Sequence, residues 1–208
     1  MVRALVAAPG PMTQVELAAL VGVSQPRISQ VLSRLRTRSA VSVTDDGYAG
    51  QKANLLDLYL ANHRPALVSP EVGWYSVRPV REQIERVCAA ASETSARVAV
   101  SADFAPDLLV PWRHPTLTAV YTDRPLDLTP VGFVRADGRV DATVLLRHTP
   151  DSTLLAAFEP WPRVVDDIPL ADPVQQIWDL QDLGGEDRHE AADRLRAGIL
   201  DGRLKAVR

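Results

Sequence analysis

A glycine corner between two apolar helical stripes constrains this chain more than any other feature. Thr13-Gln14-Val15-Glu16 has the Thr-x-x-Glu form of a capping box, in which hydroxyl and carboxylate each satisfy a backbone donor at the other's position. Leu17, Ala18, Leu20 and Val21 follow at helical spacing, and Gly22 is the residue type best suited to a left-handed C-terminal position. Ser24 is placed to cap a second helix, Pro26 is tolerated in its first turn, and Ile28, Val31, Leu32 and Leu35 make one apolar stripe. The two helices therefore meet across Gly22-Val23-Ser24. Small Ala18 permits a close approach, and Val23 and Ile28 are expected to fill the junction. This is a helix-turn-helix pattern, preceded by a short helix within Met1 to Ala8 that Pro9-Gly10-Pro11 ends.

With that stripe turned inward, Ser24, Gln25, Arg27, Ser29, Gln30, Ser33 and Arg34 lie on the outer face of the second helix or at its edges. Gln can bond adenine edges bidentately, Ser can donate to phosphate or base, and Arg27 and Arg34 suit phosphate contacts. The partner this implies is double-stranded DNA. After Arg38 the pattern changes to alternation at Val41 and Val43, and Thr44-Asp45-Asp46-Gly47 before Tyr48 predicts a hairpin. A hairpin directly after a recognition helix is the wing of a winged helix, with Arg36 and Arg38 at its root in reach of the flanking backbone. For the tip the alternative is a loop without DNA contact, because two aspartates there would repel phosphate. Charge supports the division. Residues 1–50 carry five basic side chains against three acidic ones and the remainder 18 against 23, so an acidic chain of net charge −3 keeps a basic N-terminal part.

A connecting helix is expected from Ala53 to His63, and Pro65 and Pro70 then interrupt the chain. The domains implied are residues 1–66, the winged helix-turn-helix with its connecting helix, and residues 67–208. The second part predicts a strand at Gly73-Trp74-Tyr75, a helix over 79–91, a strand over 98–100, a short helix over 102–109 and a strand over 117–121. Residues 131–135 and 140–147, separated by Asp137-Gly138, read as a hairpin, and short strands are expected over 154–158 and 163–165. Two helices, 174–183 and 187–200, close the chain. The fold class is α+β. There is no run of about 18 apolar residues and no secretory signal pattern, so no membrane is involved and a cytoplasmic location is expected. The lone Cys88 excludes an internal disulfide and reads as a buried thiol.

The second part also resembles a known family. Gly73-Trp74-Tyr75-Ser76, a helix, then Val98-Ala99-Val100-Ser101-Ala102-Asp103-Phe104-Ala105, Val110-Pro111 and Thr118-Ala119-Val120-Tyr121 are similar to the AbiEi antitoxins of type IV toxin-antitoxin systems. So is the ending Ala171-Asp172-Pro173-Val174-Gln175, Asp179-Leu180, Gly184-Gly185 and Glu190-Ala191-Ala192-Asp193-Arg194-Leu195. The resemblance implies a mixed α/β antitoxin-like C-terminal domain behind a winged helix. It implies a transcriptional autoregulator that represses its own promoter through inverted repeats. It also implies that the protein counters a nucleotidyltransferase-like toxin without requiring a stable complex with it.

Catalytic constellations are missing from the sequence. No phosphate-binding loop, dinucleotide fingerprint, His-Glu-x-x-His or nucleophile elbow occurs, and His63, His114, His148 and His189 lack ligand spacing. Asp166-Asp167 beside Ile168-Pro169 reads as a solvated turn, and Arg113-His114 with Arg124 as ordinary surface residues. No catalytic residue, metal or cofactor is expected. The alternative function class is an orphan winged-helix regulator whose second domain senses a ligand or carries an enzyme.

Overall fold

The computed structural model describes residues 1–112 and 114–204, and every element and count below refers to those described residues. They form two compact units. The first comprises Met1–His63 together with Phe158–Trp161, and the second comprises Arg64–Ala157 and the chain from Pro162 onward. The first unit thus closes at His63 rather than at 66, and it recruits a distant segment that no local pattern signals.

In the first unit, α1 (Val2–Ala7) is too short to persist alone and buries Ala4, Leu5, Val6 and Ala7. α2 (Gln14–Val21) begins at a formed capping box: Thr13 Oγ1 accepts from Glu16 N at 3.2 Å, and the Glu16 carboxylate accepts from Thr13 N at 2.8 Å. The bond from Thr13 N holds the Glu16 carboxyl below its ordinary value. Gly22 ends the helix at φ 68° and ψ 33°. α3 (Gln25–Thr37) follows, with Pro26 in its first turn.

Two expectations at this corner are corrected. Ser24 occupies the N-cap position, but its hydroxyl makes no capping bond. Val23 is 42% exposed and does not fill the junction; its N–H returns to Ala18 O at 3.2 Å to finish α2, and burial at the corner falls to Leu17 and Ile28. β1 (Val41–Thr44) and β2 (Gly47–Gly50) then pair antiparallel, with Val43 opposite Tyr48. Met12 bonds Tyr48 in both directions at 3.0 and 2.9 Å, tying the hairpin back to the segment before α2. Gly47 adopts φ 128°, and a Cβ there would lie 2.6 Å from the Met12 carbonyl oxygen, so the position requires glycine. α4 (Lys52–Asn62) packs on α1. Arg3 lies over the rings of Tyr59 and Phe158, 6.0 and 5.5 Å from their centroids, and Phe158 and Trp161 are buried.

The second unit contains β3 (Val72–Tyr75), α5 (Val80–Glu93), β4 (Val98–Val100), α6 (Phe104–Leu109), β5 (Thr118–Thr122), β6 (Val134–Arg135), β7 (Val144–His148), β8 (Val164–Val165), β9 (Ile168–Pro169), α7 (Pro173–Leu183) and α8 (Glu186–Leu200). Five strands form one mixed sheet in the order β4-β5-β7-β3-β6, with β5 and β7 parallel and the other pairs antiparallel. Strand alternation sends Val98, Val100, Val120, Val144 and Leu146 to one face, in a core shared with Ile84, Val87 and Ala91 of α5. Ala99 and Tyr121 point to the other face. The fold is α+β, and no helix is long and apolar enough to cross a membrane.

Here two strand expectations fail. Residues 131–135 and 140–147 do not form a hairpin: β6 and β7 flank β3 on opposite sides. Val144, Leu145 and Leu146 are buried on both faces and need neighbours on both edges, which the exposed pair Val134–Arg135 cannot supply. Residues 154–158 are not a strand either. A 3₁₀ turn at Ser152–Leu154 leads into them, held by the Asp151 carboxylate accepting from Thr153 N at 2.9 Å, and 155–158 follow without regular structure. The turn at Asp166-Asp167 does form, with both residues exposed and at positive φ, joining β8 to β9.

Because Phe158 completes the packing of the first unit, Phe158→Ala in the full chain is expected to lower hydrogen-exchange protection of α1 and α4 by up to about 3–5 kcal/mol. Protection of β5 and β7 should stay unchanged. Unaltered exchange in α1 and α4 would remove the segment's role.

Candidate nucleic-acid interface

α3 acquires its faces from the spacing of Ile28, Leu32 and Leu35, which are buried, with Val31 half-buried beside them. At about 100° per residue the opposite side of the helix carries Gln30, Ser33 and Thr37 along its centre. Arg27, Arg34 and Arg38 share one flank of that face, and Gln25, Ser29 and Arg36 share the other. All nine residues singled out in the sequence, Ser24, Gln25, Arg27, Ser29, Gln30, Ser33, Arg34, Arg36 and Arg38, are exposed. Thr37 joins them and was missed by the sequence reading; its hydroxyl donates back to Ser33 O at 3.1 Å.

The electrostatics of this face are set by what does not meet it. Among the described residues Arg27, Arg34, Arg36 and Arg38 form no ion pair, and the side chains of Gln25, Ser29, Gln30 and Ser33 make no hydrogen bond. No acidic residue occurs between Glu16 and Asp45. The second unit differs: Arg78, Arg86, Arg97, Arg139, Arg147 and Arg188 all have carboxylate partners. The unpaired guanidinium groups of Arg27, Arg34 and, at the C-cap of α3, Arg38 therefore line one flank and that of Arg36 the other, with Gln30 and Ser33 between them. The hairpin tip carries the opposite charge, since Asp45 and Asp46 are both exposed. Tyr48, close to that tip, is tied to α2 by Gln14 Nε2 donating to its OH at 2.9 Å.

A second polar cluster, absent from the sequence reading, lies in the second unit. Arg147 on β7 is 1% exposed, and its guanidinium donates to Asp179, to Glu71 at 3.0 Å and to Asp182 at 2.7 Å. Asp179 on α7 also accepts from Ser101 Oγ, from Tyr121 OH at 2.8 Å and from Gln175 Nε2 at 3.3 Å. Burial pushes the Asp179 carboxyl above its ordinary value even as Arg147 and these donors pull it down, and burial beside Asp179 raises the Tyr121 hydroxyl well above its own. At the outer edge of the cluster Glu71 and Asp182 also pair with the exposed Arg139. The cluster's one sequence signal is a charge inside an apolar run, Val144-Leu145-Leu146-Arg147 on the strand and Ile177-Trp178-Asp179-Leu180 on the helix.

Of the remaining candidates, Arg113 lies outside the described residues. Arg124 is engaged by Asp123 at 3.6 Å and donates to Thr94 O at 3.1 Å. The Cys88 thiol is half-buried, and burial pushes it up to about 11. Among the described residues no group of three or more His, Cys, Asp or Glu side chains is placed to hold a metal ion. No protein-family model, no curated protein and no solved structure matches this chain.

Removing Asp179 takes from Arg147 its one fully buried carboxylate and leaves only the partly exposed Glu71 and Asp182. Asp179→Ala is expected to destabilise the second unit by about 3–5 kcal/mol in urea denaturation. Arg147→Met added to it should recover part of that loss. An Asp179→Ala protein as stable as wild type would show that the pair does not hold α7 to the sheet.

Proposed function

We propose that this chain is a sequence-specific transcriptional regulator that docks α3 in the major groove of duplex DNA, using the first unit as a winged helix-turn-helix. One observation carries the reading: four guanidinium groups without carboxylate partners flank a strip of unengaged Gln and Ser side chains on a single helix. Phosphate contacts supply affinity and position, while the groups between them read base edges. In this reading Arg27, Arg34, Arg36 and Arg38 bind phosphates, and Gln25, Gln30, Ser29 and Ser33 face the bases. Ser24 stands where the helix begins, beside the backbone. The acidic hairpin tip stays off the phosphates.

Titration against the chain's own promoter duplex at several salt concentrations tests this division. Gln25→Ala and Gln30→Ala should each cost about 1–3 kcal/mol on the specific site only. Arg27→Ala and Arg34→Ala should weaken every duplex and flatten the salt slope by roughly one. If all four variants bind like wild type, another surface meets the DNA.

The likeness of the second part to AbiEi antitoxins extends the proposal. The protein represses its own promoter at inverted repeats, and the second unit counters a nucleotidyltransferase-like toxin by a non-catalytic route. A full-length protein with Gln25, Arg27 and Gln30 changed to Ala is expected to lose repression in a promoter-reporter assay. It should keep protecting cells from a toxin of that class encoded beside it. Loss of both activities at unchanged protein level would mean that protection acts through repression.

A further inference from the structure

The flank of α3 that carries Arg34 and Arg38 also walls a groove between α1, α3 and α4, wholly within the first unit. The groove holds about 490 Å³, with Val2, Val31, Leu35 and Leu58 on its floor and both arginines among its lining. That volume falls in the range of about 300–1,000 Å³ typical of small-ligand sites. Leu35 is buried and the other three floor residues are half-buried, so the concave surface presents apolar area to water. Arg34 and Arg38 are one helical turn apart on the same side of α3, where like charges repel, and no carboxylate answers either.

An apolar floor beside two unanswered guanidinium groups selects a particular chemistry. A cation is repelled, and a neutral apolar molecule gains nothing from the guanidinium pair. A phosphate engages the arginines but leaves the floor uncovered. We propose that this groove binds a small carboxylate with an apolar body, the head held by Arg34 and Arg38 and the body laid on Val2, Val31, Leu35 and Leu58. The planar guanidinium suits such a head because it can donate two parallel hydrogen bonds to one carboxylate. A consequence that rests on the DNA-binding reading follows. A ligand in the groove occupies Arg34 and Arg38 and places apolar bulk beside the recognition face, so it acts as an effector that releases DNA.

Calorimetric titration of the full-length protein with octanoate, and separately with octan-1-ol, tests the site without DNA. Octanoate should bind saturably at one site. Octan-1-ol against wild type, and octanoate against Arg34→Gln/Arg38→Gln, should each be weaker by about tenfold or more. Leu58→Glu, which puts a carboxylate into the groove from α4, should abolish binding while circular dichroism stays unchanged. Equal binding of octanoate and octan-1-ol, unchanged affinity in the double arginine variant, or no saturable binding to wild type would each overturn the site. The effector role is read separately, by fluorescence anisotropy of a labelled promoter duplex. Octanoate should release the duplex, and octanoate that binds by calorimetry yet leaves the duplex bound would overturn that role. Failure of the duplex to bind at all would count against the DNA-binding reading and leave the calorimetric result standing.

Discussion

The guanidinium of Arg147 is withdrawn from water in the centre of the second unit, and the arrangement around it follows from that fact. Removing a charge of this kind from water costs several kcal/mol, and only close, well-directed partners offset it. Three carboxylates supply them, from Glu71 before β3 and from Asp179 and Asp182 on α7. Asp179 is completed in turn by Ser101 after β4, Tyr121 on β5 and Gln175 one turn back on α7. Apolar packing alone would tolerate several positions of a helix on a sheet. A helix shifted by a turn here would take Asp179 and Asp182 from Arg147, leaving it Glu71 alone among carboxylates, and would remove the carboxylate that Tyr121 and Ser101 donate to, so the network favours one register.

The same chemistry explains why the first unit looks different. In the second unit Arg147 and Arg188 are internal connectors, reaching carboxylates distant in the chain. On α3 there is nothing to connect. Its arginines cost little in solvent because they stay hydrated, and they stabilise nothing within the chain. Their only strong interaction available is with an anion that comes from outside. The division of charge along the chain is thus one between arginines paired with carboxylates in the second unit and arginines left in solvent on α3.

Much of the local chemistry settled within a few residues was legible in the sequence, the Ser24 capping bond being an exception. The Thr13–Glu16 capping box, the left-handed Gly22 and the Asp166-Asp167 turn all depend on immediate neighbours. Strand partnership is settled by burial across the whole sheet. The Asp137-Gly138 signal therefore pointed to a pairing between β6 and β7 that β3 forestalls by lying between them. Val23 misled for a related reason, since a large apolar side chain at a corner is an argument for burial that backbone closure can override. The outer face of α3 was legible because helical periodicity determines it from the stripe alone. The groove beside it was not, because its walls come from residues as far apart as Val2 and Leu58.

In the proposed DNA complex, the separation of charges from neutral donors on α3 has a thermodynamic consequence. Each phosphate neutralised contributes about 0.9 to the salt slope on duplex DNA, so four arginines bound the electrostatic contribution of one α3 at a slope of about 3.6. That is small beside proteins making about 6–10 phosphate contacts. The acidic hairpin tip adds nothing to it, because its two exposed carboxylates stay off the phosphates. A module with so modest a sequence-independent attraction holds random DNA weakly. Its residence on a site then depends on the bonds that Gln25, Gln30, Ser29 and Ser33 make to base edges. Such a helix trades total affinity for discrimination, which is the balance a regulator of a single promoter requires in the presence of a large excess of competing DNA.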